Sequence, residues 1–262
     1  ASIYDVDIIT MSYGGIGTYN DGSEQECQAV DYAFNQGALV FISAGNEAND
    51  NLHYSGTVTA CSQTDYIEVN VSNTNHASLA FLLNWFDGFD GTDTSSKCAL
   101  DLDLYDGDKN EISKISEKEG ESSRGTEALW VNHDDYVSGP ATYYLKVRNF
   151  RRNDQFFHIY SMSTATTFVD ADPNYTIRTP ATADSAIAVG SYVTRTNWYN
   201  YKNSYYDNNI IGFPNDMTIG EISSFSSRGP RIDGRKKPDI TAPGQAIISA
   251  RDKIVTLGGT KD

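Results

Sequence analysis

Apolar residues in this chain come in short runs, and their spacing changes twice. Val6 to Ser12 is an apolar-rich run of strand length and predicts a buried strand. Tyr13 to Gly22 is a loop with four glycines. Ser23-Glu24-Gln25-Glu26 then has the form of a capping box, with Ser23 as N-cap and Glu26 reaching back. The helix is predicted to run to about Gln36, with Val30, Ala33 and Phe34 on its apolar face. Gly37 ends it in the left-handed conformation that glycine tolerates. Ala38 to Ser43 is the next strand. Strand, helix and strand in succession predict parallel strands and a right-handed crossover. Functional groups gather at the carboxyl ends of such strands. Ser12-Tyr13-Gly14 and Asn46 are therefore expected along one edge of the sheet.

After about Asn49 the period shortens to two. Ile67, Val69 and Val71 alternate with polar residues, as do Leu100, Leu102 and Leu104 with Asp101 and Asp103. Ser78–Phe86, Ala128–Val131, Tyr143–Arg148 and Phe156–Met162 are further strand-like runs. Turn signals such as Asp87-Gly88, Asp90-Gly91, Asp106-Gly107 and Ser138-Gly139-Pro140 separate them. Short strands at this spacing predict an all-β sandwich. From Asp170 the earlier character returns: Pro180 to Ala186 leads into a strand at Ile187-Ala188-Val189-Gly190, and Ala246–Ser249 reads as another. Trp198 to Asn209 is a polar, Tyr- and Asn-rich loop. The fold class is thus α/β, a partial parallel sheet with helices, interrupted by an inserted β-sandwich. The expected division is 1–59, 60–169 and 170–262.

Composition narrows the partners. The 262 residues carry 20 Lys and Arg against 35 Asp and Glu, a formal charge of -15. Nucleic acid and anionic membranes are therefore poor partners. No run is apolar and long enough to insert into a membrane. No signal peptide is present, and a chain that opens on Ala1 and a strand is expected to be a fragment or a processed product. Cys27, Cys61 and Cys98 lack metal-ligand spacing. Cys27 falls in the helix and is expected in the core, while Cys61 and Cys98 can pair only if their strands are adjacent. Two acidic clusters, Asp87, Asp90 and Asp93, then Asp101, Asp103, Asp106 and Asp108, offer hard oxygen ligands. They read either as a structural Ca²⁺ site or as exposed strand faces and turn formers.

Three blocks carry the chemistry. The apolar run Ala38-Leu39-Val40-Phe41-Ile42 stops at Ser43-Ala44-Gly45-Asn46-Glu47, presenting one amide at a strand end. Such an amide can donate to an oxygen that becomes negative during a reaction. Upstream lies Asp5 to Gly15, and downstream Ser223-Ser224-Phe225-Ser226-Ser227-Arg228-Gly229-Pro230 leads to Lys237-Pro238-Asp239-Ile240-Thr241-Ala242-Pro243-Gly244. In this order they resemble the subtilase family, the subtilisin-like serine proteases, over roughly 1–58 and 170–262. More weakly, Leu79 to Trp85, Ala99 to Tyr105 and Gly139 to Val147 resemble the jelly-roll modules called convertase-type P domains.

The resemblance implies peptide-bond hydrolysis by an Asp, a His and a Ser. The Asp block would precede Ile8; none of His53, His76, His133 or His158 stands in a His-Gly-Thr context; no Gly-Thr-Ser-Met follows Gly244. Gly259-Thr260-Lys261 is a near match, and either Lys261 replaces the nucleophile or the chain stops short of a second Gly-Thr. Truncation is the expectation, and this polypeptide alone is expected to be inactive. By the same resemblance Asn46 is the oxyanion donor, Ser12-Tyr13-Gly14 pair with substrate as an added strand, and Ser43-Ala44-Gly45 form one wall of the pocket for the residue before the cut. Arg178 falls where the floor of that pocket lies, with Glu47 on the opposite wall. Arg178 either pairs with Glu47, favours an acidic substrate side chain, or points to water because the insertion has rearranged its loop. The expectation is part of a secreted or cell-surface serine endopeptidase, monomeric, acting on protein or peptide. The rival is a non-catalytic scaffold whose sandwich binds protein or carbohydrate.

Overall fold

The computed structural model describes residues 6–72, 77–86, 100–115, 126–135, 139–200, 202–207 and 217–248. In chain order these form strand β1 (Ile8–Met11), helix α1 (Gln25–Asn35) and β2 (Leu39–Ser43). There follow β3 (His53–Val58), β4 (Ile67–Val71), β5 (Ala77–Phe86), β6 (Leu100–Tyr105) and β7 (Glu111–Ile115). Next come β8 (Thr126–Asp135), β9 (Ala141–Asn149), β10 (Gln155–Ser161) and β11 (Thr166–Phe168). The last are β12 (Ile187–Val193), β13 (Asn197–Tyr199), β14 (Tyr205–Asp207) and β15 (Ile240–Gln245).

Strands β1, β2, β12 and β15 form one parallel sheet in the order β1-β2-β12-β15. Period-two alternation sends Val40 and Ile42 of β2 inward, to 1% and 0% exposure, and leaves Leu39 at 43%. Cys27 and Val30 of α1 pack on Val40, Ile42, Ala44 and Ala188, with Ile9, Met11 and Ala33 at the margin. Burial pushes the Cys27 thiol up to about 12, so it serves as a small hydrophobe. Ala186 and Ala188 before and within β12 keep the helix side of the sheet thin.

Several local expectations change. β1 has alternating exposure rather than burial, and among the described residues its one sheet neighbour is β2. Phe34 is 43% exposed, because the helix turns Cys27 and Val30 to the sheet instead. The capping box does not form: Glu24 is the N-cap residue and makes no side-chain cap. Its Oε1 turns back to accept from Tyr19 and Asn20 N–H, which ties the helix start to the glycine-rich loop. Gly37 does end the helix, at φ +97. Trp198–Asn209 contains the hairpin β13–β14 rather than a plain loop, closed by stacked Trp198 and Tyr206. The last parallel strand covers Ile240–Gln245, and Ala246–Ile248 is not a strand. Pro243 falls in β15, which is at the edge of the sheet among the described residues, where a missing N–H is tolerated.

The insert is a sandwich of two antiparallel sheets, β3-β10-β5-β8 and β11-β4-β9-β6-β7. Their inner faces share one core that holds Phe81, Trp85, Phe157, Val69, Leu102 and Leu145, all fully buried. Ile67, Val69 and Val71 point in while Glu68 and Asn70 point out. Each large apolar side chain buried this way contributes roughly 1.5–3 kcal/mol. The sandwich starts at His53 rather than at residue 60, because β3 pairs with β10 along its length.

The acidic stretch of β6 has found partners within the chain. Arg148 on β9 donates to both oxygens of the buried Asp103, at 2.6 and 3.0 Å, and lies 2.8 Å from Asp101. Asp106 accepts from the backbone N–H groups of Asp108 and Asn110, and the latter's side chain. No group of three His, Cys, Asp or Glu side chains that could hold a metal ion occurs among the described residues. Asp87, Asp90 and Asp93 lie outside the described residues, as does Cys98; Cys61 is an exposed thiol.

Candidate active-site cleft

Each segment singled out in the sequence ends at the carboxyl edge of the parallel sheet. β1 runs into Ser12-Tyr13-Gly14, β2 into Gly45-Asn46-Glu47, and β15 contains Ala242-Pro243-Gly244. Together with Arg178, Ser191 and Phe225 they line one cleft of about 720 Å³, within the range of small-ligand and peptide sites. Ser12, Tyr13 and Gly14 are exposed, and Tyr13 and Gly14 form no backbone hydrogen bond among the described residues. Asn46 is exposed too. Its backbone N–H donates to Glu47 Oε2 at 2.8 Å, while its side-chain amide has no partner among the described residues.

Two glycines make the cleft narrow. Gly45 has φ +114, a left-handed conformation suited to glycine. A Cβ there would stand 2.5 Å from Glu47 Oε2 and 2.6 Å from Ser227 Oγ. At Gly14 it would stand 2.8 Å from the Cβ of Arg178. Ala44 differs from its neighbours: its side chain is buried in the core, and it presents only backbone, accepting from Arg178 N–H at 3.0 Å.

The floor is Arg178. Thr179 exchanges two hydrogen bonds of 2.9 Å with Gly15, so this segment is tied to both walls. Arg178 does not point freely to water. It is 8% exposed, and its Nε lies 2.9 Å from Glu47 Oε2. That Nε–H is not aimed at the carboxylate and has no hydrogen-bond acceptor among the described residues, so the contact is an ion pair rather than an aligned bond. Ser227 Oγ donates to the same Glu47 oxygen at 2.9 Å. Burial and Glu47 push the nearby Asp50 carboxyl up, with Arg178 acting against them.

Behind this floor lies a feature that the sequence reading did not single out. His53 on β3 and His158 on β10 are both buried, with His53 Nε2 3.1 Å from His158 Nδ1. His53 Nδ1 faces the Asp172 carbonyl at 2.9 Å. A carbonyl only accepts, so His53 carries its proton on Nδ1, and His158 Nδ1 donates to His53 Nε2. Burial lowers both pKa values, that of His53 to about 4. His53 and Tyr160 border a void of about 10 Å³ shared with Glu47 and Arg178. Tyr160 donates to the Tyr175 carbonyl at 2.8 Å, and Leu82 and Tyr160 pack on Ile16 and Tyr19 of the glycine-rich loop. The sandwich therefore abuts the pocket floor. Their lack of a motif and their 105-residue separation hid the two histidines from sequence reasoning.

The cleft thus combines a parallel sheet with an extended segment, a strand-end amide and a glycine-walled slot at its carboxyl edge. The profile of the subtilase family matches residues 4–131 and 122–260. The chain belongs to the subtilase family, and the two matched spans run into the sandwich from either side. It is 38% identical over 76 residues to serine protease AprX of Bacillus subtilis, a match covering 29% of this chain and 13% of that protein. It is 45% identical over 65 residues to pyrolysin of Pyrococcus furiosus, covering 24% of this chain and 4% of pyrolysin. The matched stretches thus span a small part of these relatives' length. Among solved structures, the CspB protease of Clostridium perfringens shares the fold with a TM-score of 0.64 at 19% identity. That similarity covers 96% of this chain and 51% of that one. No described helix is long and apolar enough to cross a membrane.

Proposed function

We propose that this chain forms the substrate-binding and oxyanion half of a secreted subtilisin-like serine endopeptidase. One observation carries the reading: the Asn46 amide is exposed, and has no partner among the described residues, at the edge of a cleft lined by Ser12-Tyr13-Gly14 and Gly45. A donor without a protein acceptor is ready for an oxyanion without first breaking a bond. Substrate would add as a strand along Tyr13 and Gly14, whose backbone groups are open. The nucleophile and its base are not among the motifs of this sequence, so residues 1–262 alone hydrolyse no peptide bond. The sandwich, whose strand pattern resembles convertase-type P domains, acts as an accessory module that braces the pocket floor.

The test is Asn46→Ala in the full-length protein. Losing one such donor costs roughly 10²–10³ in turnover in a subtilisin, and a loss of that size in kcat with little change in KM is expected here. A full-length protein with no peptidase activity, or an Asn46→Ala variant with unchanged kcat, refutes the reading and favours a binding scaffold.

A further inference from the structure

We propose that Arg178 is the specificity-determining residue of this cleft, and that it selects a carboxylate side chain, Asp or Glu, in the substrate residue before the cut. The proposal rests on the peptide-cleft reading above and deepens it.

The placement comes first. Arg178 is hydrogen-bonded through its backbone to Ala44 on one wall, and its neighbour Thr179 to Gly15 beyond the other. Its stem occupies the gap between the walls: a Cβ on Gly14 would meet Arg178 Cβ at 2.8 Å, and one on Gly45 would meet Cγ at 2.7 Å. A long apolar side chain entering this slot would have to displace the stem or desolvate the guanidinium.

The hydrogen-bond inventory gives the sign. A guanidinium has five N–H donors. That of Arg178 has no aligned protein acceptor among the described residues, and its Nε–H is buried without one. Glu47 offsets the charge at 2.9 Å but does not satisfy the donors. The same Glu47 oxygen is already held by Asn46 N–H at 2.8 Å and Ser227 Oγ–H at 2.9 Å. Glu47 is thus a fixed counter-charge that positions Arg178. A buried donor without an acceptor is costly, and a planar carboxylate is the partner that satisfies two guanidinium donors at once. A basic side chain would meet a like charge, and a neutral amide supplies one acceptor instead of a charged pair.

The experiment is a binding series on the 262-residue chain, which avoids any need for turnover. Fluorescein-labelled peptides of the form Ala-Ala-Pro-Xaa-Ala-amide, with Xaa as Glu, Asp, Gln, Leu or Lys, are titrated by fluorescence anisotropy. Glu and Asp peptides are expected to bind about tenfold to a hundredfold more tightly than Gln, Leu or Lys, the range of a charge-assisted hydrogen bond. Arg178→Met should abolish that preference, and Arg178→Lys should retain part of it. Glu47→Gln should strengthen it by removing the competing charge. Circular dichroism melts of each variant separate lost preference from lost fold. Tight binding with no advantage for Glu over Gln, or preference for Lys, overturns the proposal and leaves the cleft reading standing. If no peptide binds, the cleft reading falls, and the proposal with it.

Discussion

Acidification should destabilise this protein through one buried pair before its ordinary carboxylates titrate. His53 and His158 sit 2% and 1% exposed where the sandwich meets the pocket floor. The groups around them are Asp172, Asn174, Phe156, Tyr160, Tyr175 and Arg178; His53 is bonded to the Asp172 carbonyl and the Asn174 backbone, and His158 Nδ1–H donates to His53 Nε2. Burial is the main reason that the His53 pKa falls from 6.5 to about 4, opposed by the bond to Asp172. Burial also lowers His158, and His53 adds to it. In the unfolded chain both rings take up protons near 6.5. As pH falls, the unfolded state therefore gains protons first. The stabilisation is complete above about pH 6.5 and is lost progressively between 6.5 and 4. One pKa unit is worth about 1.4 kcal/mol, so a fall to about 4 makes the coupled pair worth on the order of 3 kcal/mol over that window. That is a large part of a typical domain's stability of about 5–15 kcal/mol. The assay is a set of urea melts at pH 8, 6.5, 5.5 and 4.5 on the wild type and on a His53→Gln/His158→Asn variant. The wild type should lose stability steeply between 6.5 and 4, and the variant should not. Parallel losses in the two proteins would refute the reasoning.

Two further expectations follow from other contacts. Arg231 is buried and donates to the Thr182 carbonyl, Asp184 and both oxygens of Asp233. Arg231→Met should cost about 3–5 kcal/mol in urea melts, because the partners lose their counter-charge in a partly buried site; a cost below about 1 kcal/mol would show that Arg235, 2.5 Å from Asp184, suffices. Gly45→Ala faces both the φ of +114 and the 2.5 Å approach to Glu47. It should lower the melting temperature and weaken peptide binding together, and unchanged binding would mean that substrate does not enter between Gly14 and Gly45.

Local chemistry was legible in the chain. The period of two in Ile67, Val69 and Val71 put those side chains inside the sandwich, because successive residues of a strand face opposite ways. The order strand, helix, strand, with Gly37 as stop, led to parallel β1 and β2, since a crossover of that length permits little else. The parallel order in turn sent Ser12-Tyr13-Gly14 and Asn46 to one edge. Where local preferences competed, the sequence did not decide. Ser23 is a good N-cap by type, but Glu24 is held by the loop N–H groups of Tyr19 and Asn20, and the box is not made.

What the sequence by itself determined are features set within a few residues: strand periodicity, turns, the glycine stops and the family blocks. What only the tertiary structure decided are the meetings between distant residues. β3 looked like the end of the first domain until β10 paired with it. Arg178 had three open fates, and its burial 2.9 Å from Glu47 sets aside the one in which it points to water. The two histidines carry no motif at all. Their neutrality and their link to the pocket floor exist only because two strands 105 residues apart are brought side by side and closed off from solvent.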